Sequence, residues 1–239
     1  VMLDPIRSLL ATIGVPEVLD DPDRLAEFGD HEFEVLERAY TMALELTGHY
    51  AAADADEERE ALDVLFLTRM TLSTARYLRA VLVLGPPAEA PALTVLRKDW
   101  QGHPMHRSSR EDLDDLLVPT QTLNVLEEIG LPADRVAEIT FDERLERVAE
   151  SEQLYGVDDD SESFFRSLWK IGVADNGDLI CIDERADGTI CRLEKDWGFM
   201  SMIYVSASIS HYLHWLALYR TSPEAAAAWA KVNDEASLS

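Results

Sequence analysis

Cysteine is scarce in this chain. Only Cys181 and Cys191 occur in 239 residues, and two thiols without a secretory apolar segment near the N-terminus fit a reduced, cytoplasmic setting. Core packing is their expected job. Basic residues are also few, 21 against 46 acidic ones, for a formal net charge of −25. Such a surface repels phosphate backbones and anionic membranes, which argues against nucleic-acid and membrane partners. It would steer a basic protein partner toward itself. Simple solubility, or the acidic bias of a high-salt or high-GC organism, accounts for the same number, so charge alone does not choose between them. Long apolar runs are missing: the longest, Ala80 to Gly85, is far too short to span a bilayer. Gly-x-Ser-x-Gly, phosphate-loop and dinucleotide fingerprints are absent as well. No catalytic residues can be named, and the expectation is a binding protein rather than an enzyme, with no cofactor.

What is present falls into two parts, with a boundary expected near residue 105. Residues 1–105 read as a helical region with a proline-rich linker from about 86. Pro5 to Ile13 and Pro22 to Phe28 are short helices, broken by Gly14-Val15-Pro16 and Gly29. Phe33, Leu36, Tyr40, Ala43, Leu44 and Thr47 recur at helical spacing, predicting a helix over 31–48 that Gly48 can end. A second helix is predicted over 59–84, antiparallel to the first. Its Leu62, Leu65, Phe66, Met70, Leu72 and Tyr77 leave little polar face, so it should be central. Gly85-Pro86-Pro87 stops it. Through Arg110 the texture is that of a linker, or of a surface strand around Ala92 to Leu96.

Residues 106–221 read as an α+β domain, an antiparallel β-meander covered by helices. Asp175-Asn176-Gly177-Asp178 and Ala186-Asp187-Gly188 supply the positive φ that hairpin turns require. Around them, strands are predicted near 168–174, 178–184, 188–194 and 201–205. Helices are predicted over 121–129 and 208–220, the latter capped by Ser206 or Ser208. Residues 222–239 form a partly helical tail. The meander should leave one sheet face or groove exposed beside an acidic rim. The hairpin register, and with it whether the two cysteines face each other, is not readable from sequence.

Few residues offer chemistry. His103 and His106 have a spacing that can seat a metal, but no further ligand lies near and Pro104 breaks a helical presentation; no metal site is assigned. His211 and His214 on the last helix suit packing or partner contact. Asp158-Asp159-Asp160 with Ser161 and Glu162 lacks the glycine and glutamate spacing of a calcium loop. The segment Asp142 to Glu162 holds nine acidic residues against Arg144 and Arg147 and is read as a loop. It is either bait for a basic cleft or a solvated surface. Phe164, Phe165 and Trp169 after it read as core. Trp197 and Phe199, in the turn before the last strand, are the candidate anchors. The partner-binding candidates are thus Asp158, Asp159, Asp160, Glu162, Trp197 and Phe199.

One resemblance covers residues 107–221. Leu123-Asn124-Val125-Leu126 through Ile129-Gly130-Leu131-Pro132 resembles the opening helix and Gly-Leu-Pro turn of the SUKH superfamily. The order that follows is similar too: Leu179-Ile180-Cys181-Ile182-Asp183, then Asp187-Gly188-Thr189-Ile190, then Tyr204-Val205-Ser206-Ala207-Ser208-Ile209 and a closing helix. The likeness is greatest to the group often found in actinobacteria. It implies an immunity protein that neutralises a cognate polymorphic toxin, a nuclease or deaminase among them, in a toxin–antitoxin pair. The superfamily has no shared catalytic residues to transfer. The alternative reading is a non-enzymatic ligand-binding or regulatory module with a pocket between the helical and sheet regions.

Overall fold

A computed structural model describes residues 3–15, 24, 27–50, 55–83, 89–150, 165–199 and 201–229. The chain divides into two compact units, Val1–Val83 with Asp196–Ile203, and Leu84–Lys195 with Tyr204–Ser239. The fold is α+β, with helices first and an antiparallel sheet after them.

The first unit is built on α1 (Asp4–Thr12), α2 (Asp30–Tyr50) and α3 (Ala55–Val83). Arg79 pairs with Asp30 and Arg76 with Glu37, while the Arg69 guanidinium lies 5.7 Å from the Tyr40 ring centroid. The falling numbers along α3 against the rising ones along α2 make the two antiparallel, as the periodicity predicted. The middle of α3 is buried nearly all round, from Thr71 to Ala75 and again at Tyr77 and Leu78. Buried hydroxyls there need acceptors, and they find them one turn back: Thr68 Oγ1 donates to Val64 O at 3.0 Å and Thr71 Oγ1 to Leu67 O at 2.8 Å.

In the second unit α4 (Leu93–Asp99) comes first. The sequence suggested a linker or strand there, but Leu96 is fully buried and the Trp100 indole donates to Leu213 O at 3.2 Å. Tertiary contact thus selects a short helix that its flanking prolines had obscured. The strand β1 (Met105–His106) pairs with β2 (Leu131–Pro132) on either side of α5 (Thr120–Glu128). The five-stranded sheet then runs in chain order: β3 (Ile139–Arg147), β4 (Leu168–Ala174), β5 (Leu179–Asp183), β6 (Thr189–Leu193) and β7 (Met202–Ser206). The closing helix α6 (Ile209–Thr221) is capped by Ser208, whose Oγ accepts from His211 N. Ser206 is the last residue of β7. Residues 223–229 are again helical.

The predicted turn chemistry is realised. Gly177 (φ 90°), Asp187 (φ 51°) and Gly188 (φ 82°) all take the left-handed conformation. Ile171, Ile180, Ile182 and Ile190 pack into one core with Val125 and Leu126 of α5 and with Ile209, Tyr212, Leu213 and Leu216 of α6. Two expectations are corrected. Every residue of β5 is buried, so that strand exposes no face. The acidic segment is not all loop either: Asp142 to Arg147 belong to β3, an edge strand with a bulge between Phe141 and Glu146. Charged side chains are the usual guard of such an edge.

Candidate functional site

The described part of the acidic segment lies along β3. Ile139 and Phe141 point to the core, while Thr140, Glu143 and Arg144 are exposed. Lys170 of β4 sits between two carboxylates, 3.0 Å from Glu146 and 3.8 Å from Asp142. Partial burial holds the Asp142 carboxyl above its ordinary range, with Lys170 pulling it back and Glu146 adding to the rise. Along this edge Asp142, Glu143 and Glu146 are matched by Arg144, Arg147 and Lys170, so the edge itself carries no acidic excess.

Asp158, Asp159, Asp160 and Glu162 lie outside the described residues. Of Trp197, only the backbone is described, at the end of a 3-10 turn from Lys195. Phe199 adopts φ 64° and is buried, at 9% exposure. Phe165 and Trp169 are core, as their position suggested. The histidines are dispersed. His103 meets Trp100 edge-on at 6.1 Å, His106 pairs with Leu131, His211 Nδ1 lies 2.9 Å from Ser208 Oγ, and His214 Nδ1 lies 2.7 Å from Asp99 Oδ2. Among the described residues no group of three His, Cys, Asp or Glu side chains is arranged to hold a metal.

Cys181 and Cys191 are direct register partners on β5 and β6, both fully buried and both free. The neighbouring Cys181 thiol and burial hold the Cys191 proton well above the ordinary thiol value of 9.0. A neutral buried thiol is inert. Both cysteines should therefore resist Ellman's reagent in the folded protein and react once urea unfolds it. The folded Cys191 thiol keeps its proton where the unfolded one has lost it, so its contribution is complete below 9.0 and falls as pH rises beyond it. Denaturation midpoints measured from pH 7 to 10 should show that fall, and replacing both cysteines by alanine should remove it.

Two of the cavities among the described residues lie in the second unit. One, of about 370 Å³, is lined by Arg97, Trp100, His103, Arg107 and Glu128, with Arg97 paired to Glu128. The other, of about 400 Å³, lies at the end of the sheet where β4 turns into β5. Its walls include Ile139, Ile180, Arg192, Val205, Tyr212 and Trp215. Tyr212 and Trp215 lie nearly parallel, 4° apart with centroids at 6.3 Å. The i, i+3, i+4, i+7 spacing of Ile209, Tyr212, Leu213 and Leu216 marks Tyr212 as a core position, while Arg192 is not among the candidates read from the sequence. The signal available was an arginine inside an otherwise apolar strand, Thr189-Ile190-Cys191-Arg192-Leu193.

Among the described residues no helix is long and apolar enough to cross a membrane. No curated protein and no solved structure matches the chain. One family model does: SUKH-4 immunity protein, over residues 94–237. The match takes in the five-stranded sheet, α5, α6 and also α4. It covers more than half of the chain, which therefore belongs to the SUKH-4 immunity protein family.

Proposed function

We propose that this protein neutralises a cognate toxin by direct protein–protein contact, acting as a stoichiometric binder rather than as an enzyme. The observation that carries the reading is the family match over 94–237. The partner we propose is a basic toxin domain, of nuclease or deaminase type and delivered as one of a polymorphic set, blocked in the cytoplasm of the producing cell. A net charge of −25 supports that choice, because a cleft built to hold a phosphate backbone attracts a dense array of carboxylates. The segment from Asp142 to Glu162 is the proposed bait, with Asp158, Asp159, Asp160 and Glu162 at its acidic end and Trp197 as a further proposed anchor. Phe199, being buried, would serve by holding the turn that carries Trp197.

Two measurements test this. Co-expression with the toxin domain encoded beside it should rescue growth; failure to rescue would remove the immunity reading. With the purified pair, changing Asp158, Asp159 and Asp160 together to asparagine should slow association several-fold at low salt and leave dissociation nearly unchanged, because steering is screened beyond about 8–10 Å at physiological ionic strength. Trp197→Ala should instead speed dissociation. An unchanged association rate in the triple variant would reduce the acidic segment to a solvated surface.

A further inference from the structure

The sign of the charge reverses in one stretch of the chain. Between positions 97 and 110 there are four basic residues and two histidines against a single acid, Asp99, in a protein where acids outnumber bases 46 to 21. Asp99 is committed elsewhere: its Oδ2 lies 2.7 Å from His214 Nδ1, and Arg220 donates to its carbonyl at 3.2 Å. The fold gathers part of this stretch around the cavity of about 370 Å³. Arg97 comes from the last turn of α4. Gly102, at φ 79°, turns the chain so that His103 N donates to Trp100 O at 3.1 Å, which keeps the imidazole on the cavity lining. Arg107 follows β1, where Ser108 N donates to Leu126 O at 3.2 Å and fastens the chain to α5. Among the described lining residues Glu128, at the end of α5, is the single carboxylate.

Arg97, Gln101, His103 and Arg107 are all exposed, so a solute in the cavity can reach them. Arg97 is paired with Glu128, and its place in the last turn of α4 suits that helix's carbonyl end. Arg107 lies on no helix, and its guanidinium has no ion pair among the described residues. Two guanidinium groups, an amide and an imidazole thus supply donors, and one carboxylate answers them. A positive surplus rich in N–H groups suits a tetrahedral oxyanion with several acceptor oxygens better than a carboxylate with two. Repulsion from the rest of the acidic chain is screened beyond about 8–10 Å at physiological ionic strength, so the groups lining the cavity decide the outcome. We propose that this cavity binds a phosphate group, free or carried by a small monoester, with Arg107 as the principal contact and Arg97 shared between the ligand and Glu128. This site is separate from the acidic segment and does not depend on the toxin reading.

The test is calorimetric titration of the full-length protein with inorganic phosphate, phenyl phosphate and benzoate. Thermal unfolding with each probe at about 10 mM is compared with sodium chloride of equal ionic strength, because any salt relieves the self-repulsion of so acidic a chain. Phosphate should bind one to one and raise the unfolding temperature above the chloride reference, and benzoate should bind at least about tenfold more weakly. Tighter binding of phenyl phosphate would identify a monoester as the ligand; equal or weaker binding would identify the free anion. Arg107→Gln should weaken phosphate by about tenfold or more and leave unliganded stability unchanged, since its guanidinium is exposed and unpaired. Glu128→Gln should tighten phosphate several-fold, because it releases Arg97 and removes the opposing charge. The wild-type comparison of phosphate with chloride and benzoate stands even where a variant fails to fold. No saturable phosphate binding above the chloride reference, equal binding of benzoate, or wild-type affinity in a folded Arg107→Gln protein would each overturn the proposal. So would unchanged or weaker phosphate binding in folded Glu128→Gln, which would mean that Arg97 and Glu128 only hold α4 against α5.

Discussion

Gly130→Ala should lower the unfolding free energy by about 3–4 kcal/mol, the largest effect expected of any single methyl group in the second unit. Gly130 follows α5 with φ 85°, and its N–H donates to Val125 O at 2.9 Å, closing the helix. The next residue, Leu131, pairs with His106 in the β1–β2 ribbon, so two backbones pass at minimal separation. A Cβ at position 130 would fall 2.2 Å from His106 O and 2.7 Å from His106 C. A side-chain clash could relax by rotation; a carbonyl in a paired strand cannot. Left-handed strain and displacement of the ribbon therefore add. Urea denaturation should show a lower midpoint with an unchanged slope. A loss under about 1 kcal/mol would mean that the ribbon gives way easily and does not hold α5 in place.

Glu184→Ala is the second. It should cost about 3 kcal/mol, because Glu184 is the common acceptor of three groups, two of which, the Trp169 indole and the Arg147 guanidinium, have little access to water. Its Oε1 accepts from Leu117 N and from the Trp169 indole, each at 2.8 Å. Its Oε2 lies 3.4 Å from Arg147 Nη1, with the two side chains 10% and 27% exposed. The Arg147 guanidinium lies 4.4 Å from the Trp169 ring centroid, donates to Asp115 O at 3.2 Å, and also donates to Arg166 O. That last bond joins the residues on either side of the acidic stretch, so the network ties the base of the proposed bait to the sheet. Glu184→Gln keeps an oxygen for Leu117 and Trp169 but turns its amide donors toward a guanidinium, so about 1–2 kcal/mol is expected. Chemical denaturation read by tryptophan fluorescence would rank the two. Equal stability of Glu184→Ala and the parent would show that water serves Arg147 and Trp169 as well as the carboxylate does.

The same network shows why part of the fold escaped the sequence. β3 reads Ile139-Thr140-Phe141-Asp142-Glu143-Arg144-Leu145-Glu146-Arg147. It alternates over its first three residues, after which charge takes over, because an edge strand has one ladder to satisfy and an outer rim to protect. Composition alone makes that a loop. The two-residue strands β1 and β2 are too short for any period to register, and α4 is a single two-turn helix between prolines and a glycine. The fully apolar strands and the long helices were legible because burial imposes their pattern locally. The Gly-Leu-Pro turn was legible because one backbone angle there admits little besides glycine.

Sequence by itself determined the α+β class, the antiparallel pair α2 and α3, four of the five strands of the main sheet, the helices α5 and α6, and the superfamily. Each rests on local rules: periodicity, capping and positive-φ turn residues act over a few positions. Tertiary structure alone decided the rest. It made Cys181 and Cys191 register partners, which depends on how the connection between β5 and β6 closes and not on the cysteines. It buried every residue of β5 and took Phe199 into the interior. It also brought Arg192 of β6 and Tyr212 of α6 to one cavity, twenty residues apart in the chain. Such juxtapositions follow from how strands and helices pack, and no pattern confined to either segment encodes them.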